Sequence, residues 1–195
     1  MRTAKYIGAL VSSGVLIAQL LLPLISYGPM LDDSEFDQAL ERAESIHLPN
    51  LDEVRNYPFS TVTRVQAAAR YVKFAQQAGM VPVLNTCVFE DIDTQRSENK
   101  TMILLSCQYG FFQGVQGKFY PDNYLTKSAS LVWLIRGVFP GKQFAQVDPY
   151  RDPYVTAANE LWITRRASSP YLEYLITNYE LLLQLRRART IYDGK

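Results

Sequence analysis

Ala43-Glu44-Ser45-Ile46-His47-Leu48, Ser106-Cys107-Gln108-Tyr109-Gly110-Phe111 and Ala158-Asn159-Glu160-Leu161-Trp162-Ile163 read as three versions of one helix end. After each comes a loop and then a threonine that opens an apolar run: Thr63, Thr126 and Thr177. The interval is 16 residues from His47 to Thr63 and from Gly110 to Thr126, and 15 from Trp162 to Thr177. A spacing kept through three divergent copies points to one helical hairpin used three times. A single hairpin is too small to bury its own apolar face, so the copies must pack on one another. The expected fold is all-α.

The second helix of each copy keeps the same register. Five residues after the threonine stand Ala68, Leu131 and Leu182; eight after it stand Tyr71, Leu134 and Leu185. That spacing holds one helical face apolar. Ten residues on, every copy is basic, at Lys73, Arg136 and Arg187, which suits the negative end of a helix dipole. Thr63 with Gln66 and Thr177 with Glu180 form capping boxes, whereas Thr126 is followed by Ala129 and keeps half of one. Pro58 and Pro121 precede their threonines by five residues and hold the entering loop extended; the third copy has Leu172 there.

Residues 1–28 stand outside the repeat. Arg2 and Lys5 precede an uncharged apolar stretch from Tyr6 to Tyr27, the pattern of an export signal. The stretch is also long enough to remain as a membrane anchor through residues 6–27, which takes about 20 residues. Residues 29–195 are then one domain, with copies over about 34–80, 85–139 and 144–190. The formal net charge is +1 and no basic stripe is present, which points away from nucleic acid.

Cys87 and Cys107 both fall in the middle copy, and an even cysteine count in an exported chain invites a disulfide. Two buried free thiols are the alternative. His47 is the lone histidine, so no zinc-ligand spacing exists. Glu90, Asp91 and Asp93 cluster without a partner arranged for acid–base work, and the chain does not read as an enzyme.

The middle copy runs Phe89-Glu90-Asp91-Ile92, a helix, Gly110-Phe111-Phe112-Gln113-Gly114-Val115-Gln116-Gly117-Lys118-Phe119-Tyr120-Pro121, and then Leu125-Thr126-Lys127. This resembles an S-layer homology motif: an aromatic-x-Asp-aliphatic opening, a glycine-rich loop ending in Phe-x-Pro, and a Thr-Arg-Ala-Glu helix start. Val62-Thr63-Arg64-Val65-Gln66 and Ile176-Thr177-Asn178-Tyr179-Glu180 are the outer counterparts. The resemblance covers residues 34–190. It implies one pseudo-threefold domain in which the three second helices form a central bundle. It also implies grooves between copies that bind an anionic cell-wall polysaccharide and hold the protein at a bacterial cell surface.

The family's anion-gripping arginine falls on Arg64, Lys127 and Asn178. A guanidinium, an ammonium and an amide differ in their hold on a carboxylate, so the first groove is expected to be the best equipped. Asp91, Gly114 and Gly117 are the loop candidates, with the glycines at turns that need positive φ. A structural or protein-interaction scaffold, acting through other envelope proteins or self-association, is the alternative role.

Overall fold

A computed structural model describes residues 33–83, 86–144, 152–164 and 171–194. The expected export or anchor segment, residues 1–28, lies outside these described residues, and so do parts of the third copy, residues 145–151 and 165–170. Ser34–Lys195 form one compact unit, separate from Met1–Asp33.

Among the described residues the regular structure is helical. The first copy supplies α1 (Asp33–Ser45), the short α2 (Leu51–Asn56) and α3 (Arg64–Gln77). The second supplies α4 (Ser97–Gln108) and α5 (Lys127–Val138). The third supplies α6 (Pro153–Glu160), a 3-10 turn at Tyr171–Glu173 and α7 (Asn178–Asp193). The entering loops thus differ: helical in copy one, glycine-rich in copy two, and, in the described part of copy three, a 3-10 turn.

Local chemistry sets the helix ends. Thr63, Thr126 and Thr177 are all N-caps, each accepting from the backbone N–H three residues on. Gln66 and Glu180 return the bond to the threonine N–H, and Ala129 cannot. The first helices end alike, since His47, Gly110 and Trp162 all have left-handed φ, at 52°, 85° and 58°. Only the glycine adopts that conformation freely, and the other two copies tolerate its cost.

The bases ten residues after the threonines do not share one electrostatic role. Arg136 lies in the last turn of α5, but α3 and α7 extend beyond Lys73 and Arg187. Arg187 instead forms a bidentate pair with Glu35 of α1, at 2.7 Å for both contacts.

That contact illustrates how the copies interlock. Each second helix packs on the first helix of the next copy: α3 on α4, α5 on α6, and α7 on α1 through Glu35–Arg187 and the Phe36–Tyr179 ring pair. The three second helices also meet through a buried polar chain. The Tyr71 hydroxyl lies 2.8 Å from that of Ser130, which donates to Gln184 Oε1 at 2.6 Å. Burial pushes the Tyr71 phenol well above its ordinary value, with the Ser130 hydrogen bond and nearby Arg70 opposing.

The residues just before the threonines close the set. Val62 N–H donates to Ile176 O, Ile176 N–H to Leu125 O, and Leu125 N–H to Val62 O, at 2.8 to 3.1 Å. All three side chains are buried. This ring of backbone hydrogen bonds fixes where the second helices begin. Cys87 and Cys107 are joined by a disulfide, which ties the start of the Phe89–Ile92 segment to α4.

Candidate functional site

The residue after each threonine sits where two copies meet. Arg64 N–H donates to Asn123 O, Lys127 N–H to Tyr174 O and Asn178 N–H to Ser60 O, each at 2.9 Å. Two of the next N–H groups are also taken, Val65 by Pro121 O and Tyr179 by Pro58 O. First-turn donors normally remain available at a helix start. Here carbonyls of the following copy take most of them, so side chains are the main groups these junctions could offer to a ligand.

At the first junction Arg64 is partly buried. Its Nε donates to Phe119 O at 2.6 Å, and its guanidinium lies 4.5 Å from the Trp133 ring centre and 5.3 Å from that of Phe119. Among the described residues it forms no ion pair. Burial lowers its pKa, opposed by the charge of Asp91 and by Tyr120. Asp91 is engaged elsewhere, accepting from Phe119 N–H at 2.8 Å and Tyr120 N–H at 2.6 Å. Partial burial raises the Asp91 carboxyl, but those N–H groups and Lys118 outweigh it and hold the carboxyl below its ordinary range. Asp91 therefore clamps the loop that presents Tyr120.

Gly114 and Gly117 shape the same loop, at φ 70° and 75°. A Cβ on Gly114 would stand 2.6 Å from the Phe89 ring and 2.9 Å from the Lys118 carbonyl, so a side chain is excluded there. Tyr120 and Tyr124 are exposed beside Arg64, whereas Phe119 is fully buried.

At the second junction Lys127 is only 9% exposed. Its Nζ lies 2.7 Å from Glu180 Oε1 and 3.8 Å from the centre of the Tyr171 ring. Glu180 also accepts from Tyr171 OH at 2.7 Å, and through its other oxygen from Thr177 N–H at 3.2 Å. One carboxylate thus serves as both helix cap and counter-ion.

At the third junction Asn178 is fully buried. It donates to Tyr57 O at 3.0 Å and accepts from Arg70 Nη1 at 2.7 Å. Arg70 is itself 1% exposed, and its Nε and Nη2 have no hydrogen-bond partner among the described residues. Burial lowers its pKa to about 10, with Glu53 and Tyr71 opposing. Tyr57 and Phe59 are exposed at the rim.

The structure therefore places Arg64, Lys127 and Asn178 at equivalent junctions with different surroundings. It brings Asp91, Gly114 and Gly117 to the first junction only. Sequence reasoning missed the partners. Extending the threonine frame six residues upstream finds Tyr57, Tyr120 and Tyr171; extending it seven downstream finds Arg70, Trp133 and Gln184. The side chain at each junction meets the tyrosine segment of the following copy. At the first and third it also meets that copy's downstream residue, Trp133 and Arg70. Among the described residues no group of three or more His, Cys, Asp or Glu is placed to hold a metal. No family model matches the chain, and no curated protein matches it either.

Proposed function

We propose that the chain is a non-catalytic cell-envelope module. In this reading three S-layer-homology-like copies are arranged with pseudo-threefold symmetry about α3, α5 and α7, and they grip an anionic wall polysaccharide at their junctions. The observation that carries it is Arg64: a partly buried guanidinium between two copies, resting on aromatic rings, with no carboxylate paired to it among the described residues. Stacked cations of this kind bind carboxylates strongly because little water must be displaced. Tyr120 and Tyr124 give a sugar ring apolar faces to lie on. The Cys87–Cys107 disulfide suits the oxidising compartment that an exported protein reaches.

Co-sedimentation of the chain with wall sacculi, before and after acid stripping of their secondary polymers, tests the proposal. Binding should vanish on stripping, and Arg64→Ala should weaken it by about 100-fold, the worth of a charged hydrogen-bonded contact. Equal binding to stripped sacculi would falsify the glycan reading.

A second reading is a structural scaffold, attached to a membrane through residues 6–27 or joined to other envelope proteins or copies of itself. It is favoured by the internal commitments of Lys127 and Asn178, which behave as packing residues. Concentration-dependent self-association without affinity for sacculi would support it.

A further inference from the structure

We propose that the end of the molecule where the second helices finish carries a separate site for an anionic phospholipid. Arg136 and Lys142 hold the phosphate of its head group, and an apolar chamber beside them takes its acyl chain. The site uses none of the junction residues and is independent of the glycan reading.

Two chambers adjoin there. One, of about 330 Å3, is bounded by Gly110, Gln113, Arg136, Lys142, Gln143 and Tyr154. The other, of about 460 Å3, is bounded by Met80, Val81, Tyr109, Val138 and Tyr192. Val83 and Pro140 line both and stand between them. Met80 and Val81 follow α3, Val138 closes α5, and Tyr192 lies in the last turn of α7. The ring of Val62, Leu125 and Ile176 marks the opposite ends of the same three helices.

The chambers divide the chemistry. Both cations belong to the first, no Asp or Glu among the described residues lines either, and neither cation has a carboxylate partner among them. They stand at the two ends of an aromatic wall. The Arg136 guanidinium lies 4.9 Å from the Tyr154 ring centre, and Lys142 Nζ lies 5.0 Å from that of Phe144. Phe144 meets Tyr154 edge-on at 5.4 Å. The negative end of α5 alone accounts for a base at Arg136, but Lys142 lies beyond the helix and raises the positive charge further. A guanidinium, an ammonium and the two amides of Gln113 and Gln143 offer more donors than one carboxylate takes, and they suit a phosphate. The second chamber has no charge to offer, and Val81 and Val83 are exposed along it, apolar surface that a hydrocarbon chain would cover. Copy two alone has room for this. Gly110 stands where the other copies carry His47 and Trp162, and a Cβ there would begin 3.1 Å from Val83 Cγ2.

Photolabelling of the full chain on phosphatidylcholine vesicles tests the proposal. The vesicles carry a trace of either phosphatidylglycerol or phosphatidylcholine with a diazirine on its acyl chain, and labelled peptides are mapped by mass spectrometry relative to vesicle-bound protein. Phosphatidylglycerol should label residues 80–83 and Tyr192, and phosphatidylcholine should not. Arg136→Gln and Lys142→Gln should each lower that labelling by about fivefold, the usual worth of one base against an anionic lipid. Lys118→Gln, the same charge change at the first junction, should leave it at the parental level. Equal labelling by the two lipids would show apolar contact without a head-group site and overturn the proposal. So would absence of label at residues 80–83, or a loss in Lys118→Gln as great as in Arg136→Gln, which would mean attraction to a charged surface in general.

Discussion

The Arg64 and Lys127 junctions are built on the same backbone and hold their cations in opposite ways. Both residues follow a capping threonine, both give their N–H to the next copy, and both lie against aromatic rings of that copy. Lys127 is then neutralised by Glu180, and the pair sits almost out of solvent. Among the described residues Arg64 meets a carbonyl and two rings and feels the charge of Asp91 without pairing to it. The first arrangement stabilises a junction; the second stores an unspent charge at one. Repetition fixes where the cation goes, and its immediate neighbours fix whether it is paired.

This contrast breaks most readily through the disulfide. Changing Cys87 and Cys107 to serine together should cost about 3 kcal/mol in urea unfolding, given the 20-residue separation it closes. The native-state loosening should concentrate at the Arg64 junction, because Cys87 anchors the segment whose Asp91 holds Phe119 and Tyr120. Equal amide-exchange gains at Phe119 and Lys127 would mean the two junctions are one mechanical unit.

Lys127→Ala should destabilise by about 2 kcal/mol, since it strands Glu180 in a poorly solvated place. Arg64→Ala orphans no carboxylate and should cost about 1 kcal/mol, the value of the lost ring contacts. Denaturation of the two variants side by side sharpens the comparison, and a reversed order of losses would break it.

The smallest effect is on pH. The Asp91 carboxyl titrates lower when folded than when unfolded, so its contribution is complete above the ordinary carboxylate value of about 4. It is lost as the pH falls through the depressed folded value. Thermal melts of the parent and of Asp91→Asn should therefore differ at about pH 6 and draw together as the pH falls below the ordinary carboxylate range. A gap that persists in acid would remove Asp91 from the support of the Arg64 loop.

Much of this was legible in the sequence, for physical reasons. Helix caps are local, so Thr63, Thr126 and Thr177 and the incomplete box at Ala129 could be read from residues a few positions apart. The positive φ of Gly114 and Gly117 was legible for the same reason. What periodicity reports is that a helix has an apolar face, not which neighbour covers it. The pairing of each second helix with the next copy's first helix was hidden for that reason. So was Arg70, a cation reaching Asn178 across more than half of the chain. Lys73 and Arg187 were read against helix ends that lie further on, because α3 and α7 continue past them.

The ring through Val62, Leu125 and Ile176 has one more implication, for the order in which the molecule comes into being. Leu125 N–H finds its acceptor on Val62 as soon as two copies exist, but Val62 N–H waits for Ile176, which emerges last from a ribosome. Two copies make an arc with an unmet donor at one end and the unmet Leu125 carbonyl at the other. A chain truncated before residue 171 should behave as an unfinished clasp that sticks to other unfinished clasps. The complete ring has no opening left into which a fourth member could be threaded.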